Sequence, residues 1–299
     1  MSRLEKPSRA GSAREGFYHI GENVEMNMIR KLYPNGKKKA FNVTYDDGVL
    51  QDIRFVELLN KYGLKGTFNL NSGLMEREFE WTHESGLVVK RLKTDIVVDL
   101  YKGHEVASHT LNHPYMENLS KEEIFDELSQ DKANLEKIFG KEIKGFALPF
   151  HYYSELIKTC VQECGFSYGR ISEETGSFSL PDDYYNWKAT FFHHFDKLEG
   201  LTKEFLETDE ELGLFQIVGH SYDLDVADRW GIMEDVFKII SNQDDILPMT
   251  TIEIVEYLKG MEKVEITSEY IENNSDISLW FEINETVSEV KACEKIYLI

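Results

Sequence analysis

The chain has 299 residues, enough for one large α/β barrel or two ordinary domains. Hydrophobic residues make up 41% and aromatics 12%, ample material for a packed core, which excludes a largely disordered chain. With 33 basic and 54 acidic residues the formal charge is −21, a surface that repels nucleic-acid phosphates and anionic membranes and removes both as expected partners.

Residues 1–16 are polar, without the apolar stretch of a secretory signal, and read as a disordered tail. No apolar run approaches the ~18 residues of a membrane helix, so the sequence reads as cytoplasmic. From Phe17 onward short apolar runs alternate with amphipathic stretches. KAFNVTY (39–45) is the first predicted strand, followed by a helix at 52–63 with apolar Ile53, Val56, Leu59 and Tyr62 and a stop at Gly63. Strands follow at 65–71 and 104–109. A capping box, Ser120 with Glu123, then opens a helix that ends at Gly140. Strands at 143–149, 166–171 and 214–220 precede an amphipathic helix at 226–241 and a last strand at 247–252. Cys160 and Cys164, four apart, read as two half-buried thiols on one helical face, and three cysteines cannot complete a disulfide set. Strand and helix alternate through residues 17–260, predicting a distorted, TIM-like (β/α) barrel of about seven strands. Residues 261–299 alternate as β around the turn-like ENNSD and read as a small C-terminal β appendage.

The C-terminal ends of barrel strands, where such folds place their chemistry, carry the titratable groups. The first strand ends in Asp46-Asp47-Gly48, the third in SHTLNHP with His109 and His113, and a later one in GHSYDLD with His220. Alone, a His pair four apart is more often structural and DDG is a common turn. Each following its own strand on one rim, they are better explained by a metal site. Two His and one Asp suit zinc or a similar first-row metal. Weaker signals accompany them. His193 and His194 are adjacent, so their side chains diverge and at most one faces the site. Trp187 reads as a sugar-stacking wall or as an ordinary core residue. His151, Tyr152 and Tyr222 adjoin the motifs, and Arg170 ends a strand where it could hold a substrate or a carboxylate.

TYDDG and HTLNHP resemble the Thr-Phe-Asp-Asp-Gly and His-Ser/Thr-x-x-His-Pro motifs of the polysaccharide deacetylase family (carbohydrate esterase family four), and the likeness runs from about residue 37 to 258. The resemblance implies a metal-dependent deacetylase on a distorted (β/α) barrel. Asp47 would bind the divalent ion with His109 and His113, and Asp46 would act as base on the attacking water. The backbone N–H of Phe150 would help hold the oxyanion, and His220 would protonate the departing amine. Apart from the resemblance, Trp187, Tyr222 and His194 are candidates, by their positions beside the motifs, for contact with substrate. In two places the chain departs from the pattern. Ala147 stands where the family has an arginine for the base, and Asn186 precedes Trp187 where the family has an Asp for the acid histidine. Those losses predict a raised pKa at Asp46 and a lowered one at His220, unless Asp223, Asp225, His193 or His194 compensates. The implied activity is removal of N-acetyl groups from an amino sugar or short oligosaccharide. The alternatives are hydrolysis of a linear or cyclic non-sugar amide on the same metal site, or a weakly active carbohydrate-binding relative.

Overall fold

The computed structural model describes residues 28–75, 80–193 and 195–298, so the predicted tail at 1–16 and the candidate His194 lie outside the described residues. Its centre is a distorted (β/α) barrel of parallel strands. In chain order these are β1 (Lys39–Asp46), β2 (Gly66–Leu70), β3 (Glu105–Ser108), β4 (Gly145–Ala147), β5 (Tyr168–Glu174), β6 (Trp187–Ala189), β7 (Phe191–Phe192) and β8 (Gly213–Gly219). Their order around the sheet is β7-β8-β1-β2-β3-β4-β5-β6, and β9 (Ile246–Pro248) pairs with the first half of β1. Only Thr190 separates β6 from β7, so chain continuity draws the two ends of the sheet together. The Thr190 hydroxyl donates to the Leu214 carbonyl at 3.1 Å and accepts the Gln216 N–H at 3.0 Å, tying that junction to β8.

Two differences from the sequence expectation have local causes. β6 and β7 hold three and two residues, too short to show a strand period, so the predicted strand count falls below the observed one. The predicted strand at 247–252 stops at Pro248 because Thr250 and Glu253 form a capping box that starts the helix Thr251–Met261. The capping box at Ser120 is present, and Gly140 ends that helix in the left-handed conformation at φ 63°.

Alternation along β1 decides what faces the site. Phe41, Val43 and Tyr45 join the apolar layer under the helices, with Tyr45 stacked on Phe55 at 4.0 Å. Asn42, Thr44 and Asp46 have the opposite parity and point into the barrel. That interior is polar. Buried Glu105 accepts from Thr67 Oγ1 and Tyr168 Oη, both at 2.8 Å, and from the Ile252 N–H at 2.9 Å. Burial pushes its carboxyl up to about 7. Tyr168 is thereby pinned, and a Cβ on Gly145 would sit 2.2 Å from its hydroxyl. Gly145→Ala is therefore expected to destabilise the fold by about 1–3 kcal/mol in urea unfolding, as an overpacked site with no room to yield.

At the chain ends, Ile29–Leu32 pairs antiparallel with Leu279–Ile283, which pairs with Thr286–Val290. Val264–Ile266, Tyr270–Asn273 and Lys295–Tyr297 form a second antiparallel sheet. Tyr33, Ile254, Leu258, Leu279 and Phe281 make a common apolar cluster with the barrel's last helix. Within it Tyr257 Oη donates to the Leu32 carbonyl at 2.5 Å. Among the described residues no helix is long and apolar enough to cross a membrane.

Candidate active site

Asp46 is the last residue of β1 and is buried. Its register partner on β2 is Asn69, whose amide donates to Asp46 Oδ1 at 2.7 Å. The same oxygen receives Nη2 of Arg170, a buried guanidinium on β5. Arg170 is the register partner of Ala147 on the neighbouring strand β4. The cation absent from position 147 is thus supplied one strand over, which corrects the expectation drawn from Ala147. Burial would raise the Asp46 carboxyl, but Arg170, His109 and His220 together hold it below the usual carboxylate range.

Asp47 follows at φ 85°, a left-handed turn that swings its side chain away from that of Asp46. Arg91 Nη1 donates to the Asp47 carbonyl and to Asn71 Oδ1 and lies 2.9 Å from Asp47 Oδ1. Against burial, Arg91 and then His220, His113 and His109 hold this carboxyl well below its ordinary range. Arg91 carried no signal in the sequence, since it belongs to no motif.

His109 and His113 are brought together by a turn, not a helix. Thr110 and His113 both have positive φ, at 69° and 56°, and the Thr110 hydroxyl accepts the His113 N–H at 3.1 Å. Glu127, on the helix opened by the Ser120 cap, accepts from the Asn112 backbone and side chain at 2.8 and 2.7 Å and fixes the loop. The two rings end 4.8 Å apart.

The donor set fits a divalent metal ion. Ligand atoms of Asp47, His109 and His113 lie within 4.8 Å of one another. Asp47 Oδ1 is buried and accepts no hydrogen bond of good geometry, although Arg91 stands close. It lies 3.9 Å from His109 Nε2 and 3.7 Å from His113 Nε2. Two ligands on one tetrahedral ion stand about 3.4 Å apart, so little movement is needed. His109 Nδ1 is 2.8 Å from the Ala147 carbonyl, which fixes the proton on Nδ1 and leaves the Nε2 lone pair for a metal. Burial lowers His109 to about 3 and also lowers His113, so both rings are neutral near pH 7.

His220 follows β8 and lines the same cavity. Its Nδ1 is 3.0 Å from Asp223 Oδ2, one helical turn ahead. Burial would lower it, but the bond to Asp223 and the charges of Asp47 and Asp46 push it up to about 9. The anion expected at position 186 is supplied by Asp223, and the lowered pKa expected for His220 is reversed. A raised histidine loses its proton as pH rises through the folded value. Asp223→Asn should therefore move the alkaline limb of kcat to lower pH, as a pH–rate profile would show.

These groups surround a cavity of about 660 Å³ that is also lined by Trp81, Phe150, His151, Phe192 and Tyr222. Tyr222 stacks on His220 at 5.0 Å and meets the edge of Trp81 at 5.5 Å. Trp81 comes from a hairpin, Glu80–Thr82 with Val88–Lys90, that the sequence reading did not find. Phe150, at φ 55°, stacks on Tyr115 at 3.9 Å. Trp187, expected as a substrate contact, is 1% exposed and packs against Tyr168 and Tyr184 in the core. It is not among the residues that line the cavity. Tyr152 is exposed and is not among the lining residues.

The polysaccharide deacetylase family model matches residues 33–169, a span that holds Asp46, Asp47, His109, His113 and Phe150. Over that span the chain is similar to polysaccharide deacetylases. The match stops one residue short of Arg170. Over 151 residues the chain is 27% identical to a peptidoglycan-N-acetylglucosamine deacetylase of Bacillus cereus, covering 47% of this chain and 64% of that one. Over 130 residues it is 28% identical to the uncharacterized protein YlxY of Bacillus subtilis, covering 43% and 36%. The chain thus spans less than two thirds of the length of either curated relative. Among solved structures, a candidate polysaccharide deacetylase from Mycobacterium smegmatis superposes with a TM-score of 0.58 at 16% identity, over 78% of this chain and 94% of that one. Peptidoglycan deacetylase PdaC from Bacillus subtilis gives 0.51 at 16% identity, over 77% and 95%. At these identities the superpositions establish the shared barrel.

Proposed function

We propose that the chain is a divalent-metal-dependent hydrolase that removes N-acetyl groups from an amino sugar or short oligosaccharide. The observation that carries this reading is one cavity lined by an ionised carboxylate, a separate Asp-His-His donor set and a raised histidine. Asp47, His109 and His113 would hold the ion, with zinc the best match to two imidazoles and one carboxylate. When bound, such an ion polarises an acyl carbonyl and makes water more acidic.

The rest of the chemistry belongs to the chain's own groups. Arg170 and Asn69 both engage Oδ1 of Asp46, which leaves Oδ2 to take the proton of the attacking water. The N–H of Phe150 stabilises the oxyanion that forms. His220 protonates the departing nitrogen, since an amine leaves poorly as an anion, and Asp223 orients its ring. Trp81, Tyr222 and Phe150 offer aromatic faces suited to the apolar face of a sugar ring. The volume of the cavity falls in the range of small-molecule sites, and the name of the Bacillus cereus relative supports an acetylated amino sugar.

Acetate release by the zinc-loaded protein from N-acetylated oligosaccharides, acetylated xylan and simple acetamides tests the reading. Release from the N-acetyl sugars supports it. Cleavage of simple amides alone, or stoichiometric metal with no acetate from any of them, overturns it.

A further inference from the structure

His193 directly follows β7, behind the acid, and does not line the cavity. It is 2% exposed, and its three surroundings are specific. Nδ1 lies 2.8 Å from the hydroxyl of fully buried Tyr45, and Nε2 lies 3.0 Å from Asp223 Oδ2. That same oxygen is 3.0 Å from His220 Nδ1. The third surrounding is Gly219, immediately before His220. A Cβ there would stand 2.2 Å from His193 Nδ1 and 2.3 Å from Cε1, so the ring lies flat on a glycine that has no conformational reason to be one.

The direction of each hydrogen bond follows from its partners. The Tyr45 hydroxyl, 2.8 Å from His193 Nδ1, is a phenol and can donate to that nitrogen. Against burial, His193 and His220 hold the Asp223 carboxyl well below its ordinary range, so it only accepts. A consistent chain runs from Tyr45 O–H to His193 Nδ1 and from His193 Nε2–H to Asp223 Oδ2, which also accepts His220 Nδ1–H.

We infer that His193 is a positioning residue for the acid: it anchors Asp223, which in turn holds the His220 ring with Nε2 toward the cavity. The chain Tyr45–His193–Asp223–His220 gathers Tyr45 from β1, His193 from just after β7, and His220 and Asp223 from the start of the helix Ser221–Val226. Its catalytic consequence rests on the deacetylase reading; the hydrogen-bonded arrangement does not.

The test pairs spectroscopy with kinetics so that the two can fail separately. Long-range ¹H–¹⁵N spectra of the wild-type protein without added metal should show His193 carrying its proton on Nε2. A neutral Nδ1–H ring would overturn the proposal whether or not the protein releases acetate. In kinetics with an N-acetylated oligosaccharide, His193→Leu should lower kcat about 10–100-fold while KM and metal stoichiometry hold. His193→Gln, whose amide nitrogen reaches the position of Nε2, should recover most of that loss. Equal losses in the Leu and Gln variants, or a loss expressed in KM, would show a merely structural ring and overturn it. Should the Leu variant not fold, the wild-type spectra and the Gln variant still decide.

Discussion

Asp46→Asn is expected to keep its metal and lose turnover by about 10²–10⁴-fold, whereas Asp47→Ala should lose both together. The two residues are adjacent in sequence but face different partners. Asp46 has the interior parity of β1 and is held by Arg170 and Asn69 through Oδ1. Asp47, turned away at φ 85°, presents a buried oxygen to the two imidazoles. Asparagine at 46 preserves size and cannot accept the proton. Alanine at 47 removes one of three ligands and leaves Arg91 without its carboxylate. Metal content of the purified variants, measured beside acetate release, checks the division, and equal metal loss in both would contradict it.

Arg170→Met should have the second large effect, on both stability and pH dependence. Removing one member of a buried pair leaves the other charge uncompensated, a loss of about 3–5 kcal/mol. The sign of the pH effect follows from the direction at Asp46, which is held low. Its contribution to stability is present above the unfolded carboxylate value and is lost as pH falls through the folded one. Without Arg170 the folded value rises, so the base becomes protonated at higher pH and the acid limb of kcat moves toward neutrality. Because Ala147 is the register partner of Arg170, the double variant Ala147→Arg, Arg170→Met should return that limb toward its original position. Urea unfolding and a pH–rate profile of the three proteins measure both effects.

Much of this was legible in the residues. The doublet after an apolar run, the His-x-x-x-His before a proline and the late histidine all lie in local motifs, and barrel logic places them on one rim. The partners of Asp46 and His220 were not legible in that way. Arg170 reaches Asp46 across 124 positions because β4 and β5 are in register, and strand register is a property of the closed sheet. Asp223 meets His220 through one turn of a six-residue helix that no sequence period marks. Reading the missing Arg and Asp as missing charges was therefore an error of topology: the cation stands on the neighbouring strand, and the anion stands one helical turn from the histidine it holds. Trp187 misled for a related reason, since its motif neighbours suggested a rim position while β6 carries it into the wall. The hairpin that brings Trp81 over the cavity has two strands of three residues each, below the length at which alternation can be recognised.

The proposed metal site is open to one direct measurement, anomalous scattering from crystals of the protein grown with zinc. The account predicts a single strong site within about 2.0–2.2 Å of an Asp47 carboxylate oxygen and of Nε2 of His109 and His113, with Asp46 outside the coordination sphere. Zinc held through both carboxylates of the doublet, or bound elsewhere with these three residues free, would contradict it.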